Sequence, residues 1–211
     1  MKLKDGSVRE YAQGTAVIDI VRELSEGLAR KAVAAELDGR IVGLTTPLTD
    51  DGALNILTFD DEKGRDVYRH TAAHIMAQAV KRLYPDVKLA IGPAIENGFY
   101  YDFDTERPFS VEDFEAIETE MKKIIGEKLP IERFELPRED ALALVEQMNE
   151  PYKAELIRDL PEDAVISFYR QGEYTDLCAG PHLPDTGRVK ATKLLSVAGA
   201  YWRGSEKNKM L

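Results

Sequence analysis

M-K-L-K-D-G-S-V-R-E-Y at residues 1–11, followed by T-A-V-I-D-I-V-R-E-L-S-E-G-L at 15–28, is the stretch on which the fold turns. Met1–Lys4 and Ser7–Tyr11 flank Asp5-Gly6, a dipeptide suited to a tight hairpin turn. Thr15 is placed to cap a helix over 16–30, in which Val17, Ile20, Val21, Leu24 and Leu28 recur at helical spacing. Short strand-like runs follow at Ala32–Leu37, Arg40–Val42 and Leu54–Thr58, with Asp38-Gly39 and Asp51-Gly52 as turns. Two strands, a helix and further strands make a β-grasp pattern, and about 60 residues bury a core sufficient for one small domain.

Outward from this unit, Asp60-Asp61-Glu62-Lys63-Gly64-Arg65 is charged and reads as a linker. A helix is predicted at about 66–83, with Asp66 as N-cap and Val67, Ile75, Met76, Ala79, Val80 and Leu83 on its buried side. The segment 88–103 is strand-like and broken by Gly92-Pro93 and Asn97-Gly98. Ser110 opens a helix to about 127, Asp113 sits at the capping-box position, and Val111, Phe114, Ile117, Met121 and Ile124 share a face. Ile131–Leu136 is a strand candidate. Pro137 and Pro151 suit the first turns of helices over 138–149 and 151–159. Residues 165–170, 173–177 and 193–203 read as strands. The fold class is therefore α+β, with domains at 1–62 and 63–211.

Of the 211 residues, 28 are Lys or Arg and 38 are Asp or Glu, a net charge of −10. The apolar content is that of a globular chain, and no apolar run approaches the roughly 20 residues of a membrane helix. The start lacks the apolar region of a signal peptide. A single Cys makes no internal disulfide, which points to a reducing, cytoplasmic setting. The negative charge argues against strong nucleic-acid binding. Residues 186–211 run the other way: Arg188, Lys190, Lys193, Arg203, Lys207 and Lys209 stand against Glu206 alone. That stretch is either a solvated surface or a phosphate-facing rim.

All three His and the only Cys fall in two short motifs, His70-Thr-Ala-Ala-His74 and Cys178-Ala-Gly-Pro-His182. The i, i+4 spacing puts both imidazoles of the first on one helix face. This arrangement suits two ligands of one metal or two acid/base groups over one cleft. A zinc-protease reading fails because the residue after the first His is Thr71, where that chemistry needs a Glu base. Tyr174, Asp176 and Cys178 alternate and would face one side of a strand. Asp176 could orient an imidazole or a substrate hydroxyl, or be an ordinary turn carboxylate. By composition Lys153 is a surface lysine. Tyr100-Tyr101 supply either an aromatic floor for a base or core packing, and core packing is the better-supported of the two.

Four motifs in order, R-H-T-A-A-H at 69–74, I-G-P-A-I-E-N-G-F-Y-Y-D-F at 91–103, Y-T-D-L-C-A-G-P-H at 174–182 and L-L-S-V-A-G-A-Y-W-R-G at 194–204, resemble the N-terminal half of bacterial threonyl-tRNA synthetases. The resemblance implies a ubiquitin-like TGS β-grasp domain at 1–62. It implies at 63–211 the second additional, editing domain shared with alanyl-tRNA synthetases, followed by the start of a linker. It implies that the aminoacylation site, with its ATP, Mg and zinc, lies beyond position 211. The implied activity is hydrolysis of mischarged seryl-tRNA(Thr). A site that reads threonine's hydroxyl gains only about 1–3 kcal/mol against serine, so a second sieve is needed.

The resemblance further implies that His70, Lys153 and Asp176 act in catalysis, with Lys153 in the P-Y-K motif. His74, Tyr101, Cys178 and His182 are implied to bind substrate. The expected partner is the acceptor end of tRNA(Thr) carrying serine, with no membrane partner; the chain is expected to be monomeric and its parent a homodimer. No cofactor is required on this reading, although His70, His74, Cys178 and His182 are together able to bind zinc. Three alternatives stand beside it: a free-standing alanyl- or seryl-tRNA deacylase, which needs no TGS domain; a TGS-containing non-enzymatic binding or regulatory module; and a structural zinc site.

Overall fold

The computed structural model describes residues 1–211. The chain divides into two compact units, Met1–Thr71 with Gly180–Pro184, and Ala72–Ala179 with Asp185–Leu211. No helix is long and apolar enough to cross a membrane.

The first unit contains β1 (Lys2–Leu3), β2 (Thr15–Ala16), α1 (Val17–Leu24), α2 (Glu26–Lys31), β3 (Ala32–Leu37), β4 (Arg40–Val42), β5 (Pro47–Leu48) and β6 (Ala53–Thr58). Its sheet has the order β1-β6-β3-β4. β1 runs parallel to β6, while β3 pairs antiparallel with both β6 and β4. First and last strands lying parallel beside each other, with helices on the connection, is the β-grasp arrangement expected. Val17, Ile20 and Val21 of α1 are fully buried with Leu54 and Ala35 of the sheet. Asp38 and Gly39 both take positive φ, 47° and 84°, as in a type I′ turn, and close the two-residue β3–β4 hairpin.

Three local readings change. Ser7–Tyr11 is not a strand; it contributes one bridge, Val8 to Lys2. The helix over 16–30 is two helices, because Ser25 is extended and its hydroxyl accepts from Leu28 N–H, capping α2. Thr15 does not cap α1; its hydroxyl donates to the Ala12 carbonyl, and Ala16 holds the cap position.

The charged run at 60–65 is not a linker in this structure. α3 (Glu62–Leu83) starts inside it. Asp61 accepts from Thr58 N–H through its carboxylate and from Arg65 N–H through its carbonyl, so the turn and the helix start share one residue, ahead of the expected Asp66 cap. Gly64 is a close-approach glycine rather than a flexible one. A Cβ there would lie 2.0 Å from the Thr58 carbonyl oxygen and 2.9 Å from Val33 Cγ2. Every residue from 71 to 80 is buried, whereas Leu83 is exposed, so α3 carries no simple amphipathic stripe over this span.

In the second unit α3 is followed by β7 (Lys88–Leu89), β8 (Ala94–Ile95), β9 (Gly98–Phe99) and β10 (Phe103–Asp104). β7 pairs with β10 and β8 with β9, both antiparallel, so the expected broken strand over 88–103 folds back on itself. Ser110 forms the expected capping box with Asp113, and α4 (Phe114–Glu127) buries Ile117, Met121 and Ile124, with Val111 left exposed before it. β11 (Ile131–Glu135), α5 (Arg138–Gln147), α6 (Pro151–Asp159), β12 (Ser167–Gln171) and β13 (Tyr174–Leu177) complete the core. The strands form an antiparallel meander in that order, with α5 and α6 packed through Val145, Ala154 and Ile157 against Phe168.

Residues 193–203 are not a strand. They hold one bridge, Tyr201 to Met210, and a short turn at Trp202–Gly204 in which Arg203 has φ 55°. The basic stretch is largely turned inward on its own unit. Lys193 pairs with Glu118 at 2.7 Å, Arg203 with Glu155 at 3.0 Å, and Lys209 with Asp104 at 2.6 Å. These cations neutralise the acidic surface of the same unit, which weakens the reading of the stretch as a phosphate rim.

Two outcomes follow for stability. Gly64→Ala gains roughly 1 kcal/mol of helix propensity but forces a backbone clash of the kind that costs about 1–3 kcal/mol or more. A lower urea midpoint is expected; an unchanged or higher one contradicts this packing. Arg82 donates to Glu173, Glu127 and Glu120, and it holds the Glu173 carboxyl from its ordinary 4.5 down to about 2. A depressed carboxyl contributes stability above pH 4.5 and loses it as the pH falls toward 2. Glu173→Gln should flatten that part of the unfolding profile, by an amount moderated by its exposure.

Candidate functional site

The alternation of β13 turns Tyr174 and Asp176 inward together, as the sequence pattern anticipates, and both are buried. Asp176 is 2% exposed. It is a strand residue at the centre of a polar cluster, not a turn carboxylate. Its Oδ1 lies 2.7 Å from Lys153 Nζ. Its Oδ2 accepts from Tyr101 OH at 2.6 Å and Tyr174 OH at 3.0 Å. His74 Nε2 is 3.6 Å from the same oxygen, and the His74 ring meets the Tyr174 ring edge-on at 5.7 Å.

Lys153 is not a surface lysine. Pro151 starts α6, and Lys153 falls in its first turn, 4% exposed. A cation at the positive end of a helix is unfavourable, and burial adds desolvation. The Asp176 carboxylate offsets both. Lys153 also donates to Tyr101 OH at 3.1 Å and lies 5.4 Å from that ring's centroid. One of its three N–H donors is thus committed to Tyr101, while Asp176 balances its charge.

Tyr101 combines both readings that the sequence left open. Its ring stacks on Phe103 at 5.0 Å as core, and its hydroxyl joins the polar cluster. Gly92 makes the approach possible, since a Cβ there would lie 2.0 Å from the Tyr101 ring. Burial, reinforced by the adjacent Asp176 charge, pushes the hydroxyls of Tyr101 and Tyr174 well above 10. Both remain neutral donors through the physiological range.

Glu150, which the sequence did not single out, anchors the neighbourhood. It is buried, accepts from Leu89 N–H at 2.7 Å and from Lys81 Nζ at 2.9 Å, and immediately precedes α6. Burial outweighs these partners and raises its carboxyl. Its place before Pro151 is the only signal the sequence offered.

In the first unit the His70 and His182 rings stand 4.2 Å apart, tilted by 37°. Thr71, read from the sequence only as the position lacking a Glu, is fully buried. Its hydroxyl donates to Val67 C=O at 3.0 Å, accepts from Leu183 N–H at 3.0 Å, and lies 3.1 Å from His182 Nδ1. His70 and His74 are one turn apart on the continuous α3, as their spacing predicts. Cys178 follows β13, tied to β12 by its N–H to the Ser167 carbonyl and its C=O from the Ser167 hydroxyl.

His70 and His182 of the first unit and His74 and Cys178 of the second are each of a type that could ligate a metal ion. Three imidazoles and one thiol suit borderline-soft zinc. Four protein ligands make a closed set, whereas a catalytic zinc keeps a position for water.

Two family models match the chain. A TGS domain covers residues 1–58, and the threonyl and alanyl tRNA synthetase second additional domain covers 166–211. Over 209 residues, 99% of this chain, it is 68% identical to a threonine--tRNA ligase of Acetivibrio thermocellus, 64% to that of Clostridium tetani and 63% to that of Desulforamulus reducens. The chain spans about a third of the length of each of these relatives.

The buried ion pair sets an expectation for stability. Lys153→Met leaves Asp176 charged and without its cation, and should cost about 3–5 kcal/mol. Lys153→Met combined with Asp176→Asn should recover part of that loss, because no net charge is then buried. Chemical unfolding of both variants checks the coupling; equal stability losses would contradict it.

Proposed function

We propose, on the premise that the chain belongs to the threonyl-tRNA synthetase family across the region it spans, that this region hydrolyses the ester of tRNA(Thr) mischarged with serine. The observation that carries the reading is the buried Lys153–Asp176 pair held by two neutral tyrosine hydroxyls. A dry, pre-aligned cation is what an ester hydrolase needs where negative charge develops on the carbonyl oxygen.

Ester hydrolysis adds water to the acyl carbon, forms a C–O bond and an oxyanion, and expels the ribose oxygen, which takes up a proton. Lys153 is proposed to direct an N–H not taken by Tyr101 to that oxyanion or to the attacking water. Asp176, expected to hold the substrate amine, has partners at both oxygens; its role is widened to fixing Lys153, with its charge still favouring the cationic amine. Tyr101 and Tyr174 keep that carboxylate in one orientation. His70 is assigned to order a second water or the terminal ribose hydroxyl. His74, Cys178 and His182 are assigned to the substrate pocket, whose size would admit serine and reject threonine's extra methyl.

His70, His74, Cys178 and His182 would hold zinc if it binds, as a closed set that would brace the residues rather than engage the ester. The proposed steps run through side chains because a four-ligand set leaves no open position. Threonine ligation, which the relatives' name describes, would belong to the longer protein together with its ATP and its dimer interface. This chain is proposed to act as a monomer in the cytoplasm, with weak, salt-sensitive affinity for tRNA.

The test is deacylation of Ser-tRNA(Thr), Thr-tRNA(Thr) and Ala-tRNA(Ala) by this chain at two salt concentrations. Serine should be released at least about tenfold faster than threonine, as expected for one methyl group. Lys153→Arg, which keeps the charge but not the geometry, should lower kcat while leaving a folded protein. Faster cleavage of Ala-tRNA(Ala) would favour a trans-acting alanyl deacylase. No cleavage of any substrate would favour a binding module. Stoichiometric zinc whose removal by a chelator abolishes hydrolysis would replace the metal-free mechanism.

A further inference from the structure

We propose that Thr71 is a positioning residue that locks His182 in the Nδ1–H tautomer and thereby leaves Nε2 as the basic nitrogen of that ring. The argument rests on counting protons around one oxygen. A threonine hydroxyl has one hydrogen to give and two lone pairs to receive with. Three groups surround the buried Thr71 Oγ1, and two of them have fixed roles. Val67 C=O, 3.0 Å away, can only accept. Leu183 N–H, 3.0 Å away, can only donate. The hydrogen-bond geometry gives the hydroxyl hydrogen to Val67, one turn back along α3, a bond that Thr makes readily in a helix.

That leaves one lone pair on Oγ1, facing His182 Nδ1 at 3.1 Å. With the hydroxyl hydrogen held by Val67, an unprotonated Nδ1 would set two lone pairs against each other in a site 0% exposed at Thr71 and 3% exposed at His182. A protonated Nδ1 completes the set. The neutral imidazole then has its lone pair on Nε2, which makes that nitrogen the acceptor of the ring. Leu183 N–H fixes the loop that carries His182, so the same oxygen sets both the ring's position and its proton. This accounts for a Thr between the two His of α3. Serine could make the same bonds, and valine, of equal shape, could make none.

The consequence for hydrolysis rests on the pocket role proposed above for His182, but the tautomer does not. With only three His in the chain, selective ¹⁵N-histidine labelling gives a readable spectrum. Long-range proton–nitrogen correlations are recorded on metal-free protein at about pH 8.5, well above the ordinary imidazole pKa, and His182 is assigned through single His substitutions. The expected wild-type result is a pyrrole-type Nδ1 and a pyridine-type Nε2 at His182, retained in Thr71→Ser. Thr71→Val should show the opposite tautomer or averaged shifts, and deacylation should fall about 10- to 100-fold, the range for a residue that orients a functional His. An Nε2–H or averaged ring in the wild type would overturn the proposal without recourse to a variant. An unchanged tautomer in folded Thr71→Val would overturn it equally. Inactive wild type with the expected tautomer would sink the editing reading and leave this one standing.

Discussion

A carboxylate 2% exposed is costly to bury without partners, and the second unit is organised around supplying them to Asp176. An isolated buried charge costs many kcal/mol, so each partner is a constraint on the backbone that carries it. Lys153 must come from the first turn of α6, Tyr101 from between β9 and β10, Tyr174 from the same face of β13, and His74 from α3. Four chain segments are thereby brought to one point. Glu150 repeats the logic one residue before α6, joining it to β7 through Leu89 N–H. Removing one partner leaves a charge buried alone, whereas the intact set has each oxygen of Asp176 engaged.

The same arrangement is suited to hydrolysis for the reason that it is demanding to build. A cation excluded from water needs no solvent reorganisation when charge appears nearby. The two tyrosines, held neutral by burial and by the adjacent carboxylate, donate without competing for the lysine's proton. The cluster is thus electrically self-contained before a substrate arrives. The basic C-terminal stretch is used in a parallel way at the surface, where Lys193, Arg203 and Lys209 answer acids of their own unit. A net charge of −10 is the remainder after such pairing.

Much of the fold was legible where local chemistry decides. Asp38-Gly39 predicts a hairpin because Asp-Gly readily takes the two positive-φ positions of a tight two-residue turn, and the structure has one. Ser110 with Asp113 predicts a helix start because the capping box is local. Reading failed where a distant atom decides. Gly64 reads as linker flexibility until the Thr58 carbonyl is seen beside it. Thr15 reads as a cap until its hydroxyl is found on Ala12. The strand expected at 193–203 has β-forming residues but pairs only at its end, through the bridge of Tyr201 to Met210.

The candidate site divides in the same way. The sequence by itself determined that all the His and the Cys fall in two motifs, that His70 and His74 share a helix face, and that Tyr174 and Asp176 share a strand face. Those are consequences of spacing and of the periods of helix and strand. It could not determine that Lys153 is buried, that Asp176 is its counter-ion, or that Thr71 holds His182, because each joins residues from 23 to 111 positions apart. Only tertiary structure decides such pairs, since a buried polar atom is satisfied by whatever packing brings to it and not by its neighbours in the chain.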